Sequence, residues 1–160
     1  MSALTRTLAA SDVSAMPTIL IRPMRPNDYD AVRTLWESTE GVGLDASDER
    51  ERIAAYLERN PDLSRVACEE KAGSAERIVG AVLCGFDGRR GDLCHLSVDH
   101  TYRGLGIGRR LVEECLAELS GVGMLKCNIR VFANNREGQC FWRHMGFELR
   151  DDLAMMQRKV

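Results

Sequence analysis

Arg103-Gly104-Leu105-Gly106-Ile107-Gly108 decides the reading of this chain. It follows an apolar run ending at Val98. It leads into a segment where Ile107, Leu111, Val112, Cys115, Leu116 and Leu119 share one helical face. The first N–H groups of a helix lack internal partners, and the helix dipole adds positive character there, so an anion fits that end. Glycines at 104, 106 and 108 remove Cβ atoms and let phosphate oxygens approach the backbone. Arg103 and Arg109 can add charge-assisted hydrogen bonds. The alternative is a glycine turn that serves only a tight strand-to-helix connection. Two other phosphate loops are excluded. G-x-x-x-x-G-K-[ST] is absent, and G-x-G-x-x-G fails because Arg109 and Leu111 stand where its third glycine belongs.

Outward from the turn, the elements alternate in period. Thr18 to Met24 reads as a strand. Ala31, Val32, Leu35 and Trp36 follow at helical spacing, and Asp48 opens a second helix with Ile53, Tyr56 and Leu57 as its stripe. Ser64 to Cys68, Ile78 to Phe86 and Asp92 to Val98 form an antiparallel meander turned at Asp87-Gly88. After the helix of 106–120, Leu125, Cys127, Ile129 and Val131 alternate as a strand. Asn134 to Met145 is a final helix, with Asn134 and Glu137 resembling a capping box. Phe147 to Leu149 and Leu153 to Met156 are expected to close the sheet as a hairpin. This order favours a mixed α/β (α+β) fold with helices on both faces of a mostly antiparallel sheet.

At 160 residues and 44% hydrophobic content the chain suits one domain, read as 18–160 behind a loose tail of 1–17. The net charge of −2 argues against a general nucleic-acid binder. Six cysteines show no C-x-x-C spacing, which removes support for zinc-ribbon and thioredoxin-like readings, and no metal is expected. Neither a secretory segment nor a membrane span is evident, so a cytoplasmic protein is expected.

The run from Leu96 to Gly108 resembles the acyl-CoA-binding motif of the GNAT N-acyltransferase superfamily, [QR]-x-x-G-x-[GA], with Arg103, Gly106 and Gly108 at its fixed positions. Asn135 to Phe147 is similar to a second family motif, with Asn135, Gly138 and the terminal Gly146-Phe147. Ile21-Arg22-Pro23-Met24 matches the usual first strand. The resemblance implies a six- to seven-stranded sheet with splayed central strands. In it, the fourth strand bulges near Val98 and parts from the fifth near Val131. It also implies acetyl-CoA as cosubstrate. Its pyrophosphate would lie on Arg103, Gly104, Leu105, Gly106, Ile107, Gly108 and Arg109, and its pantetheine arm beside Leu96, Val98, Asn135 and Trp142. A backbone N–H near Val98 would polarise the thioester, and an amine would attack directly.

A protonated amine must lose a proton before it attacks. Asp92 and His95 on the fourth strand are the candidate bases. Asp92 lies near the offset of a family carboxylate, and an imidazole titrates near neutrality. Each has a plainer reading: Asp92 as a loop carboxylate beside Arg89 and Arg90, His95 as a half-buried strand residue. The family's common general acid is a tyrosine on the last helix, and Trp142 stands at its position; an indole N–H is no proton-transfer acid near neutral pH. CoA would then depart as thiolate or with a proton from water, or His144 would supply the proton, although His144 more plainly reads as a solvent-facing residue; Cys140 reads as a buried structural thiol. The resemblance places the acceptor pocket at about residues 36–50, which hold Glu37, Glu40, Asp45, Asp48 and Glu49; an acidic lining would suit a cationic amine, and a solvated acidic loop is the plainer reading. The resulting expectation is an acetyl-CoA-dependent N-acetyltransferase acting on a primary amine. The competing expectation is a catalytically idle acyl-CoA-binding or sensing module. A homodimer is expected by analogy alone.

Overall fold

The computed structural model describes residues 16–160. The tail expected at 1–17 therefore lies outside the described residues except for Met16 and Pro17.

A five-stranded sheet in the order β1 to β5 forms the frame, with β1 at Thr18–Pro23, β2 at Arg65–Glu70, β3 at Arg77–Phe86, β4 at Gly91–Val98 and β5 at Cys127–Ile129. The first four strands pair antiparallel, and β5 joins β4 in parallel. The parallel pair needs a crossover, and α3 at Ile107–Gly121 supplies it. Helices α1 at Tyr29–Glu37 and α2 at Arg50–Arg59 cover one face; α3 and α4 at Arg136–His144 cover the other.

Each face has its own apolar core. Val32, Leu35, Trp36, Ile53 and Leu57 meet Val66, Ala81 and Leu83 on the first. On the second, Ile107, Leu111, Val112, Cys115 and Leu119 of α3 meet Ala67, Val79, Val82 and Leu93. Burying each such aliphatic chain contributes about 1.5–3 kcal/mol. Gly80 and Gly91 let α3 approach the sheet. A Cβ would stand 3.1 Å from Leu111 at Gly80 and 2.5 Å from Leu119 at Gly91. Arg65, nearly buried on β2, ties the helix down through Glu118 at 2.6 Å.

The expected six to seven strands are corrected to five among the described residues: Phe147 to Leu149 and Leu153 to Met156 form no strand. Apolar composition suggested a hairpin, yet β5 spans only three residues and gives little edge to pair with. Leu149, Leu153, Met155 and Met156 stay exposed, beside a groove of about 680 Å³ that also takes in Trp142 and Ile129. Two starts move as well. Asp48 ends a 3₁₀ turn at Ala46–Asp48, and α2 begins at Arg50. Asn135 rather than Asn134 caps α4, its Oδ1 accepting from the Gly138 N–H at 2.8 Å.

No helix among the described residues is long and apolar enough to cross a membrane. All six cysteines are free thiols.

Candidate active site

The glycine turn leaves a row of donors open. A 3₁₀ turn at His100–Tyr102 leads from β4 into it. Gly104 and Gly106 adopt left-handed φ of +77° and +75°, which other residues take only with strain. Gly106 caps α3 without a side chain. From Gly104 to Arg109 no backbone N–H meets an acceptor among the described residues; the first closed bond runs from the Arg110 N–H to the Gly106 carbonyl at 3.1 Å. Among the described residues nothing lies within 4 Å of a Cβ built on Gly104 or Gly106, so an anion has room. The Arg103 guanidinium folds back toward β4, Nε to the Val98 carbonyl at 3.4 Å. Arg109 is held by Glu113 at 2.7 Å, and Arg110 reaches the Ile19 carbonyl instead. Leu105 and Ile107 flank the turn, the first exposed and the second in the core.

Beside this turn the sheet opens. β5 pairs with β4 only through Gly91, Asp92 and Leu93, so among the described residues the β4 edge has no strand partner on that side from Cys94 onward. The splay implied by the family resemblance is thus present, and it starts at Leu93 and Ile129. The bulge is displaced from the expected place near Val98. Its register shift falls between the Leu83–Cys94 and Ala81–Ser97 pairs, and its strained residue is His95, with φ of +53°. The extra residue reverses the alternation. Leu93 lies with the α3 core, Cys94 lies with the α1 core, and His95 stays on the α1 side against Trp36. Leu96 and Val98 then pack on the α3 side, where a Cβ built on Gly108 would stand 3.7 Å from Val98 and 3.6 Å from Phe141.

His95 is held from two directions. Its Nε2 meets Asp48 Oδ1 at 2.6 Å, and its ring stands edge-to-face with Trp36 at 5.0 Å between centroids. Asp48 is 7% exposed. Its other carboxylate oxygen accepts from the Asp45 N–H at 2.9 Å, and its carbonyl accepts from the Tyr29 hydroxyl at 2.9 Å. Trp36 Nε1 is buried without an acceptor among the described residues.

Asp92 occupies a different place. It sits where β4 and β5 still pair, opposite Asn128, with Arg130 at 3.2 Å. Burial pushes its carboxyl above the usual range, and the Arg130 charge opposes that shift. Asp92 therefore lies at the paired end of β4 and His95 at the splayed end.

Asn135 spends its carbonyl oxygen on the helix cap, and its Nδ2 lies 2.7 Å from where a Gly41 Cβ would stand. A Gly43 Cβ would likewise meet Phe132 at 3.0 Å, so the loop after α1 passes close over the start of α4. Trp142 is buried between Phe141 and Phe147, ring centroids 5.2 and 5.0 Å away. Cys140, expected to be buried, is exposed, with its Sγ 3.6 Å from His144 Nδ1, because it projects from the outer face of α4. Of the acidic residues between 36 and 50, only Asp48 reaches His95; Glu37 pairs with Arg33, and Asp45 receives the Ser47 N–H, which holds its carboxyl low. Sequence reading missed the joining of Asp48 and Trp36 to His95, and it missed Phe141. In the sequence Asp48 stood out only as the acid opening the second helix and as one of the acids of 36–50.

A free helix start beside a parted pair of strands defines a class of cleft that can receive an anion and extended amide groups. The comparisons give that class a family. The profile of the acetyltransferase (GNAT) domain matches residues 63–149. The chain is 31% identical over 140 residues to acetyltransferase SG1711 of Sodalis glossinidius, covering 88% of this chain and 94% of that one. It is also 31% identical to acetyltransferase ECA0875 of Pectobacterium atrosepticum, over 88% and 95% of the two chains. Ard1 from Thermoplasma volcanium superposes with a TM-score of 0.70 at 20% identity, over 82% and 84% of the chains. Arabidopsis thaliana Naa50, in complex with a bisubstrate analogue CoA-Ac-MVNAL, superposes with a TM-score of 0.63 at 22% identity, over 83% and 85%. The chain belongs to the GNAT acetyltransferase family and is an acetyltransferase.

Proposed function

We propose that this acetyltransferase moves an acetyl group from acetyl-CoA to a primary amine by direct attack, with His95 as the base. The observation behind this reading is the unpartnered N–H row from Gly104 to Arg109, set beside the unpaired β4 edge. That row and Arg103 suit a pyrophosphate. The β4 edge beyond Leu93 offers backbone groups to the amides of a pantetheine arm, and an N–H near Val98 to a thioester oxygen. Acetyl-CoA supplies the activated thioester. His95 takes the proton of the attacking amine, and the proton leaves to water. Its place on the bulge at the splayed end favours it over Asp92, which faces Arg130 at the paired end. A thiol of ordinary pKa, about 8.5, departs as thiolate without a strong acid. The absence of a phenol at position 142 is therefore compatible with turnover.

Trp142 favours a second reading, an idle acyl-CoA-binding module, since its buried indole offers no transferable proton. Thiol release separates the two. Acetyl-CoA offered with a panel of primary amines yields free thiol from the enzyme in an amine-dependent manner. Tight binding without amine-dependent thiol would support the idle module.

A further inference from the structure

We infer that Asp48 is the positioning residue of the base: it fixes which nitrogen of His95 carries the proton. This rests on the reading of His95 as the proton acceptor. Asp48 Oδ1 stands 2.6 Å from His95 Nε2, and no other polar group among the described residues bonds to the ring. An ionised carboxylate accepts only, so it draws the neutral imidazole proton to Nε2. Nδ1 is left with its lone pair and, among the described residues, without a partner, which is the state a base requires.

The carboxylate cannot swing away from this task. Oδ2 is engaged by the Asp45 N–H at 2.9 Å, and the residue's own carbonyl is held by the Tyr29 hydroxyl at 2.9 Å and the Arg33 guanidinium at 3.3 Å. Trp36 stands edge-to-face against the ring, 5.0 Å between centroids. The link joins the 3₁₀ turn at Ala46–Asp48 to the β4 bulge, two segments far apart in sequence.

The same geometry states what Asp48→Asn does. The Asp45 N–H still needs an acceptor, so the new carbonyl oxygen takes the Oδ2 place and the amide NH2 faces Nε2. Nε2 must then accept, the proton moves to Nδ1, and the base loses its lone pair while shape and volume are kept. The expected result is a fall in kcat of about 10²-fold or more with KM for acetyl-CoA within about 3-fold.

The test reads the tautomer directly, by nitrogen chemical shifts of labelled His95 at alkaline pH in the full chain. The wild type is expected to carry its proton on Nε2 and Asp48→Asn on Nδ1. A wild-type protein with the proton mainly on Nδ1 overturns the inference, and that arm needs no variant. Kinetics supply the second arm. Asp48→Asn is expected to lower kcat in the wild type and to add less than about 3-fold in a His95→Gln background, because residues acting as a unit are not additive. An equal loss in both backgrounds marks a merely structural Asp48 and also overturns it. If His95→Gln alone leaves kcat unchanged, the base reading fails, while the tautomer measurement still judges what Asp48 holds.

Discussion

The imidazole of His95 and the indole of Trp36 meet edge-to-face at 5.0 Å, across the gap between the β4 bulge and α1. Such a contact orients a ring that a strained backbone of φ +53° already aims away from the strand's regular alternation. Asp92 has no comparable support and faces Arg130. His95→Gln is therefore expected to reduce kcat by about 10²–10⁴-fold with acetyl-CoA affinity unchanged, and Asp92→Asn by less than about 3-fold. Steady-state thiol release measures both. The reverse order would move the base to the paired end of β4.

The glycine turn separates backbone need from space. Gly104 and Gly106 have positive φ and open surroundings, so alanine there costs about 1 kcal/mol through backbone strain. Gly108 has ordinary φ, and its added Cβ would meet Phe141 at a tolerable 3.6 Å. Denaturant unfolding is expected to show both former variants destabilised and Gly108→Ala within about 0.5 kcal/mol of wild type.

The two arginines of the turn are unequal. Arg103 has only a long contact to the Val98 carbonyl at 3.4 Å, whereas Arg109 is already paired with Glu113 at 2.7 Å. Calorimetry with acetyl-CoA is expected to show Arg103→Ala weakening affinity about 10-fold or more, and Arg109→Ala only a few-fold. Added salt should narrow the difference, as exposed charges are screened.

Two carboxylates give opposite pH signatures. The Glu76 carboxyl is held at about 2 by hydrogen bonds from the Arg22 guanidinium. Its depressed pKa contributes stability above the ordinary value of 4.5, which is lost as pH falls toward about 2. Glu76→Gln should therefore destabilise at neutral pH, with the difference vanishing in acid. Asp92 is raised by burial, so its contribution is present in acid and lost as pH rises through the folded value. Asp92→Asn should gain stability relative to wild type at neutral pH. Urea unfolding across the acid range reads both slopes.

The sequence exposed what repeats at fixed spacing. Ile107, Leu111, Cys115 and Leu119 displayed the period of α3, the meander displayed its alternation, and the glycines marked the turn between them. It concealed what depends on a break in spacing. Strict alternation would send His95 to the α3 side with Leu93; the bulge turns it toward Trp36, and no residue type announces a histidine with left-handed φ. Asp48 was hidden because its partner lies across the fold. The closing hairpin was misread because apolar residues at 147–156 resemble a strand whether or not an edge exists to receive them.

Acetyl transfer from a CoA held at the glycine turn is read by amine-dependent thiol release from acetyl-CoA, run on the wild type beside Arg103→Ala. Thiol is expected in proportion to acetylated amine, with the variant requiring more acetyl-CoA for the same rate. Acetyl transfer that is indifferent to Arg103, or no amine-dependent thiol from any primary amine at saturating acetyl-CoA, would contradict this expectation.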